Sequence, residues 1–232
     1  MKLIKTKNYN ELSKKAFQIV SKEILKKSNL VIGFATGTSP LGLYKKLTEA
    51  YRKGEIDFSK IKSFNLDEYY PIKKNNKKSY SYYLFKNLFS KINVKKENIN
   101  LLNGEARNFK KECRNYENKI RKNPIDIQIL GVGINGHIGF NEPGSDFNSK
   151  TRLVNLASET IKGKRVPKKA LTVGISTIMK SKKIILLAYG KKKARVIRTL
   201  IKGKINKNCP VSFLKKHKNL FVIIDGKASS FL

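Results

Sequence analysis

In residues 125–144, IDIQILGVGINGHIGFNEPG, an apolar run passes directly into a glycine-rich segment. The run IDIQIL has the length and composition typical of a strand buried on both faces. The segment after it places glycines around His137, one of only two histidines in the chain. Because glycine lets the backbone come close to another group, this pattern favours a ligand site over ordinary packing. We therefore predict a buried strand whose carboxyl end opens into a functional loop.

Apolar runs and helical periods alternate on both sides of this stretch. Strands are predicted at LVIGF, IILLA and LFVII, and helices at residues 9–27, 41–53, 79–92, 109–122 and 191–203. The alternation predicts an α/β fold, doubly wound, with a mainly parallel sheet and helices on both faces in a Rossmann-like three-layer arrangement. No repeat or linker divides the sequence, so residues 1–232 are predicted to form one domain.

The net charge of +35, from 51 Lys and Arg against 16 Asp and Glu, raises the question of a nucleic-acid partner. The lysines are spread through every segment, they greatly outnumber the arginines, and no aromatic recognition motif accompanies them. We therefore expect solvated lysine faces and no specific nucleic-acid partner, with weak polyanion binding at low salt. A dedicated polyanion-binding protein is the alternative.

The sequence does not predict export or membrane insertion. The first residues, MKLIKTKNYNELSKKAF, lack the apolar stretch of a signal peptide, and no apolar run approaches the ~20 residues that cross a bilayer. Cys113 and Cys209 match no metal or redox spacing. We expect a cytoplasmic protein with two free thiols and no membrane contact.

Four unusual segments each follow a predicted strand: TGTSP, LDEYY, GINGHIGFNE and YGKKKA. If the strands are parallel, these segments meet at the carboxyl ends of the sheet, where ligands bind in such folds. TGTSP leads into a helix that Thr38 or Ser39 could cap, with Pro40 in the first turn. It is either a helix cap alone or a loop that binds an anion, and it is not a nucleotide-binding motif.

The other segments carry charged groups. Lysines at the start of a helix oppose its dipole, so those of YGKKKA are either a solvated run or part of an anion site. Asp67 and Glu68 follow a strand, where a partly desolvated carboxylate can act as a base. His137 can transfer protons, with Glu142 as its carboxylate partner, or it is simply hydrogen-bonded in a turn. The other histidine, His217, has no ligand spacing, so no metal is predicted.

Taken together, GVGINGHIGFNEPGSDFNSKTRLVNL, SFNLDEYYPI, ATGTSPLGLYKKL and KKALTVGISTIMKSKKIILLAYGKKKA resemble the glucosamine-6-phosphate deaminase family over nearly the whole chain. The resemblance implies an enzyme that converts glucosamine 6-phosphate and water to fructose 6-phosphate and ammonia, with a phosphosugar as partner and no cofactor. Amino-sugar catabolism in the cytoplasm follows from it.

The resemblance also implies roles for individual residues. Asp67 matches the base that removes the C2 proton, His137 the histidine that assists ring opening, and Glu142 its carboxylate partner. Asn135 stands where one branch of the family has aspartate. It is expected to orient the histidine by a hydrogen bond and to change the pH dependence. Gly37, Thr38 and Ser39 match the family's phosphate-binding loop. Lys193 matches the lysine that binds the phosphate.

The chain departs from the family pattern in two places. The family usually carries a longer lid that contributes an arginine to the phosphate, whereas only ASETIKGKR, residues 157–165, is present here. Lys162, Lys164 or Arg165 are the candidates to replace that arginine. Arg152 matches a ligand of the family's allosteric activator, but Val154 replaces a lysine there, so a non-allosteric monomer or small homo-oligomer is expected.

Three alternatives stay open on these residues. A galactosamine 6-phosphate deaminase would share the same motifs. A 6-phosphogluconolactonase fits the motifs LDEYY and GHIGFNEPG less well. A catalytically inactive sugar-phosphate sensor would keep the cavity and lack an effective lid.

Overall fold

The computed structural model describes residues 1–163 and 165–232. The strands are β1 (Lys2–Thr6), β2 (Val31–Phe34), β3 (Lys62–Asn65), β4 (Asp67–Tyr70), β5 (Ile99–Asn100), β6 (Ile127–Leu130), β7 (Arg152–Asn155), β8 (Lys169–Thr172), β9 (Lys183–Ala188) and β10 (Leu220–Asp225). The α-helices are α1 (Tyr9–Lys26), α2 (Leu41–Arg52), α3 (Tyr80–Asn87), α4 (Phe109–Lys122), α5 (Ser158–Ile161), α6 (Ile175–Met179) and α7 (Ala194–Lys202). Short 3₁₀ helices cover Phe89–Lys91, Lys96–Asn98, Lys191–Lys193 and Pro210–Lys216.

Seven strands form a parallel sheet in the order β1-β10-β9-β6-β2-β3-β5. Every residue of β2 and β6 is buried, as are nearly all residues of β9 and β10. Since successive side chains of a strand point to opposite faces, this burial requires both faces of the sheet to be covered. The predicted α/β fold with a doubly wound, mainly parallel sheet is therefore confirmed.

The strand order places a crevice at the centre of the sheet. From β2 the chain adds β3 and β5 on one side, and it then adds β6, β9 and β10 on the other. The direction of winding therefore reverses between the neighbours β2 and β6. In open α/β sheets, ligands bind outside the carboxyl ends of the strands at such a reversal.

A second, three-stranded antiparallel sheet has the order β4-β8-β7. Asp67 and Glu68 follow β3, as predicted, but they lie in a strand of their own, since residues 67–70 form β4 and Asp67 pairs with Thr172. The partner strand β8 is about a hundred residues away in the chain, so no local sequence pattern predicts the pairing. KALTVGIS, which suited a strand or a strand leading into a helix, forms β8 followed by α6.

Helix α1 illustrates why the periodic segments are helical. Asn8 caps it by accepting from the amide of Glu11, and Leu12, Ala16 and Val20 bury one side completely. The helix predicted at residues 79–92 is shorter, since α3 ends at Asn87 and a 3₁₀ turn follows. None of the described helices combines the length and apolar character needed to cross a bilayer. Both cysteines are free thiols.

Candidate active site

A cavity of about 340 Å³ lies at the carboxyl ends of β2 and β6, a size typical of small-molecule sites. All four segments predicted to meet at this edge contribute to it. Of the site residues predicted from the sequence, the cavity is lined by Gly37, Thr38, Ser39, Asp67, Asn135, His137 and Lys193. Glu142 is not one of the described residues that line the cavity. It contacts the site through the His137 imidazole.

Residues 35–39, which we call the anion loop, form one wall of the cavity. Gly37 has φ of +91°, a left-handed conformation that glycine adopts without strain. The prediction that Thr38 or Ser39 caps α2 was wrong: Pro40 is the N-cap residue, and it makes no side-chain capping hydrogen bond. The Tyr9 hydroxyl instead accepts the amide of Gly42 at 2.8 Å, so a distant helix satisfies this first-turn donor.

The two acidic residues of β4 have separate surroundings. The Glu68 carboxylate accepts the backbone amides of Tyr80 and Ser81 at 2.9 and 2.8 Å and the Ser79 hydroxyl at 2.8 Å. Glu68 therefore holds the N-terminal end of α3. Because strand residues alternate in direction, Asp67 points the other way, and it lines the cavity.

Asp67 is only 5% exposed. Burial, with a smaller contribution from the charge of Glu68, raises the pKa of the Asp67 carboxyl well above its ordinary value. A raised pKa makes the ionised form a stronger base, as a group that removes a proton from carbon requires. The backbone around Asp67 is also fixed, since the Asn65 side chain donates to its carbonyl at 2.8 Å.

The His137 imidazole is held between a carboxylate and a hydroxyl. Its Nδ1 lies 3.4 Å from Oε2 of Glu142 and 3.4 Å from Oγ1 of Thr160. Burial opposes ionisation of Glu142, but hydrogen bonds from His137, Thr160 and Asn135 outweigh burial and hold its pKa below the ordinary value. Gly133 makes room for the ring, because a Cβ at that position would lie 2.3 Å from Cε1 of His137.

Asn135 acts on His137 indirectly. The resemblance implied that Asn135 orients the histidine through a hydrogen bond. Asn135 Oδ1 accepts the backbone amide of His137 at 3.2 Å, and its Nδ2 donates to Oε2 of Glu142 at 3.0 Å. The asparagine therefore fixes the carboxylate partner and the loop around His137. Its amide carries no charge, so Glu142 is the ionised partner of the imidazole here.

The short segment in place of a lid reaches the cavity. Helix α5 lies in this segment, and Glu159, Thr160 and Lys162 line the cavity. Arg165 is exposed and is absent from the lining of the described cavity, while Lys164 lies outside the described residues. Of the candidates to replace the lid arginine, the structure brings Lys162 to the site.

The lysine segment after β9 turns one of its three lysines towards the cavity. Gly190 has φ of +86°, and its amide donates to Oδ1 of the buried Asp225 at 2.9 Å. This contact fixes the start of the 3₁₀ helix Lys191–Lys193, after which α7 begins. Lys193 lines the cavity, whereas Lys191 and Lys192 are exposed.

Several lining residues, among them Tyr80, Phe140 and Thr160, had no role predicted from the sequence. The Tyr80 and Phe140 rings are stacked 5.5 Å apart and form part of the cavity wall. Tyr80 occurs in the tyrosine-rich run SYSYY, which was assigned only to a helix. Thr160 had no local signal, since its contact with His137 joins segments that are 23 residues apart.

The arrangement brings the buried Asp67 carboxyl, the His137 imidazole, the anion loop and Lys193 around one small cavity. Within residues 1–163 and 165–232, no group of three His, Cys, Asp or Glu side chains is placed to hold a metal ion. Arg152, which matched an activator ligand, donates to Oδ1 of Asn141 at 2.9 Å and to Oγ of Ser145 at 3.3 Å. The Asp67 carboxyl, the His137 imidazole and the Lys193 side chain suit proton transfer on a phosphorylated substrate.

Comparison with known sequences identifies the family of this chain. Residues 5–222 match the model of a family described as glucosamine-6-phosphate isomerases/6-phosphogluconolactonase. Glucosamine-6-phosphate deaminase of Clostridium novyi (strain NT) is 50% identical, over 100% of both chains. The enzyme of the same name from Thermoanaerobacter sp. (strain X514) is 49% identical, over 100% of this chain and 95% of the relative.

Solved structures agree. A monomeric glucosamine-6-phosphate deaminase superposes with a TM-score of 0.98 at 39% identity, over 100% of both chains. The 6-phosphogluconolactonase of Trypanosoma brucei superposes with a TM-score of 0.84 at 17% identity, over 100% of this chain and 98% of that one. The second likeness shows a shared fold.

Proposed function

Because the chain belongs to the glucosamine-6-phosphate isomerase/6-phosphogluconolactonase family, we propose that it is a glucosamine-6-phosphate deaminase. The reaction converts glucosamine 6-phosphate and water to fructose 6-phosphate and ammonia. Near-50% identity to deaminases over the full chain supports this activity over that of the lactonases, since the lactonase structures that superpose share 16–21% identity with this chain. No cofactor enters the proposed chemistry.

The observation that carries the proposal is the placement of Asp67 and His137 on one cavity with the anion loop and Lys193. The substrate phosphate lies against the loop amides and the lysine, which holds a flexible open-chain sugar in reach of the base. His137, paired with Glu142, transfers a proton at the ring oxygen as the pyranose opens. Asp67 then removes the proton from C2, giving the enolamine. Reprotonation at C1 and hydrolysis of the resulting imine release ammonia.

The direct test is release of ammonia and fructose 6-phosphate from glucosamine 6-phosphate by the purified protein. Galactosamine 6-phosphate and 6-phosphogluconolactone serve as competing substrates in parallel assays. The proposal expects the highest kcat/KM with glucosamine 6-phosphate. Preference for the galactose epimer or for the lactone would assign the chain to that reaction instead. Absence of turnover with all three, together with retained phosphosugar binding, would support the inactive sensor.

Lys193→Ala is expected to raise KM for glucosamine 6-phosphate roughly 10- to 100-fold, since a charge-assisted hydrogen bond to phosphate is lost. The kcat should change much less, because the phosphate contact forms in both ground and transition states. Steady-state kinetics checks this. The matched control is Lys192→Ala, which removes the same charge from the same segment but from an exposed side chain. Equal effects in both variants would indicate that the overall positive charge of the surface attracts the substrate, without a specific contact from Lys193.

Lys162→Ala tests whether Lys162 replaces the arginine that the family's lid contributes to the phosphate. We expect KM to rise about three- to tenfold, less than for Lys193, because the Lys162 side chain is exposed and its ion pairing is weakened by water. Arg165→Ala is the control, and its KM should stay at the wild-type value. The two variants are compared at one ionic strength. A larger effect from Arg165 than from Lys162 would reverse the assignment.

Two further properties stay predictions. The solved relative that is 39% identical is described as monomeric, and this supports a monomer over a small homo-oligomer. Light scattering of the purified protein checks this point. The cytoplasmic location is predicted from the lack of a signal-peptide pattern in the first residues, and fractionation of the source cells tests it.

A further inference from the structure

Three tyrosine hydroxyls, each from a different helix, hold the carbonyl groups of the anion loop. The hydrogen bonds are Tyr44 Oη to Ala35 O at 2.5 Å, Tyr83 Oη to Gly37 O at 2.5 Å, and Tyr9 Oη to Thr38 O at 2.8 Å and Ser39 O at 3.3 Å. A loop of five residues thus has four carbonyls bound by tyrosine. Loops at the protein surface ordinarily leave such groups to water.

The amides of the same loop are left open. Among the residues that the structure describes, the backbone N–H groups of residues 36–39 donate to no protein acceptor. None of the three tyrosines is among the described residues that line the cavity, whereas all five loop residues are. Carbonyls bound by those hydroxyls are therefore directed away from the cavity. An anion in the cavity meets N–H donors instead of repelling carbonyl oxygens.

We propose that Tyr9 and Tyr83 are positioning residues for the substrate phosphate, because their hydroxyls orient the anion loop so that its amides face the cavity. This inference rests on the proposed function for the identity of the anion. Tyr44 has the same type of contact but is fully buried in the core, so its replacement would also disturb packing. Tyr9 and Tyr83 are only partly buried, so removal of their hydroxyls disturbs the core less.

Tyr9 also ties the loop to the other phosphate-binding elements. Its hydroxyl accepts the amide of Gly42 in the first turn of α2, and its ring packs 4.4 Å from that of Tyr189. Tyr189 directly precedes the segment that carries Lys193. Helices α1 and α2 approach closely here, since a Cβ on Gly42 would lie 2.1 Å from Oγ of Ser13. One side chain therefore connects the loop, the helix start and the lysine segment.

The surroundings keep these hydroxyls in the donor form. Burial is the main cause that raises the pKa of Tyr9 and of Tyr83 above the ordinary tyrosine value. Both side chains thus stay protonated across the range in which an enzyme of this kind is assayed. The loop polarity is then independent of pH in that range.

The test removes one oxygen atom at a time. Tyr9→Phe and Tyr83→Phe are each expected to raise KM for glucosamine 6-phosphate about two- to tenfold, and the double variant should show a larger rise than either. The kcat should stay near the wild-type value, since the base and the imidazole are untouched. The Kd of inorganic phosphate, measured by calorimetry on the same proteins, should rise by a similar factor. Tyr70→Phe is the matched control, because its hydroxyl donates at 2.8 Å to the carbonyl of Ala106, away from the cavity.

The readouts separate this inference from the proposed function. If the wild type does not turn over glucosamine 6-phosphate, the deaminase proposal fails, while phosphate binding still tests the tyrosines. An unchanged phosphate Kd in the double variant would overturn the inference. So would a fall in kcat at constant KM, or an equal effect from Tyr70→Phe. Thermal melting of each variant shows whether the fold is retained.

Discussion

Asp67→Asn is expected to lower kcat for glucosamine 6-phosphate by about 10²- to 10⁴-fold, the range that a positioned general base contributes. The amide keeps the shape of the carboxylate but cannot accept the C2 proton. KM should change little, because the substitution leaves the anion loop and Lys193, the proposed phosphate contacts, unchanged. The measurement is steady-state production of fructose 6-phosphate. Exchange of the C2 proton with deuterated solvent, followed by NMR, should be lost in parallel.

The neighbouring carboxylate provides the control. Glu68 accepts two backbone amides at the start of α3, and it is not among the described residues that line the cavity. Glu68→Gln should therefore lower Tm and leave the kcat of the folded protein close to the wild-type value. Asp67→Asn should leave Tm unchanged or higher, since the folded state no longer has to bury an ionised carboxylate. Comparable activity losses with comparable loss of Tm in both variants would contradict the assignment of Asp67 as the base.

The pH profile gives an independent check of the same residue. A base works in its ionised form, and burial raises the pKa of Asp67. Activity of the wild type should therefore fall as the pH drops through this raised pKa. The acid limb of kcat/KM then lies above the ordinary aspartate value of about 3.9. An acid limb at that ordinary value would place the titrating group elsewhere.

His137→Gln is expected to lower kcat about 10²-fold or more, because proton transfer at the ring oxygen loses its imidazole. The loss should apply to the cyclic substrate. The open-chain analogue 2-amino-2-deoxyglucitol 6-phosphate needs no ring opening, so its Kd should stay within about threefold of the wild-type value. Stopped assays for ammonia and competition with the analogue measure the two quantities.

The second histidine is the matched control for this substitution. His217 is buried, its Nε2 lies 2.7 Å from the carbonyl of Ser181, and its Nδ1 accepts the amide of Asn219 at 3.2 Å. His217→Gln should therefore lower Tm and leave the kcat of the folded fraction close to wild type. Wild-type kcat in His137→Gln would contradict its role in ring opening.

Much of the site was within reach of sequence patterns. The glycine-rich segment after β6 and the TGTSP loop after β2 both follow buried apolar strands, and parallel strands bring such loops to one edge. The distinction between Asp67 and Glu68 was beyond the same reasoning. Both are acidic and adjacent, and only the pairing of β4 with β8 directs one towards the cavity and the other towards α3.

The sequence by itself determined the long helices, the buried central strands and the edge at which ligands bind, because apolar periodicity and glycine placement are local properties of the chain. Only the tertiary structure decided which side chains meet there. The contacts of Tyr9 with Thr38, of Asp67 with the cavity and of Thr160 with His137 join segments that lie far apart in the chain. Each depends on how whole elements pack on the sheet, and no short window of sequence carries that information.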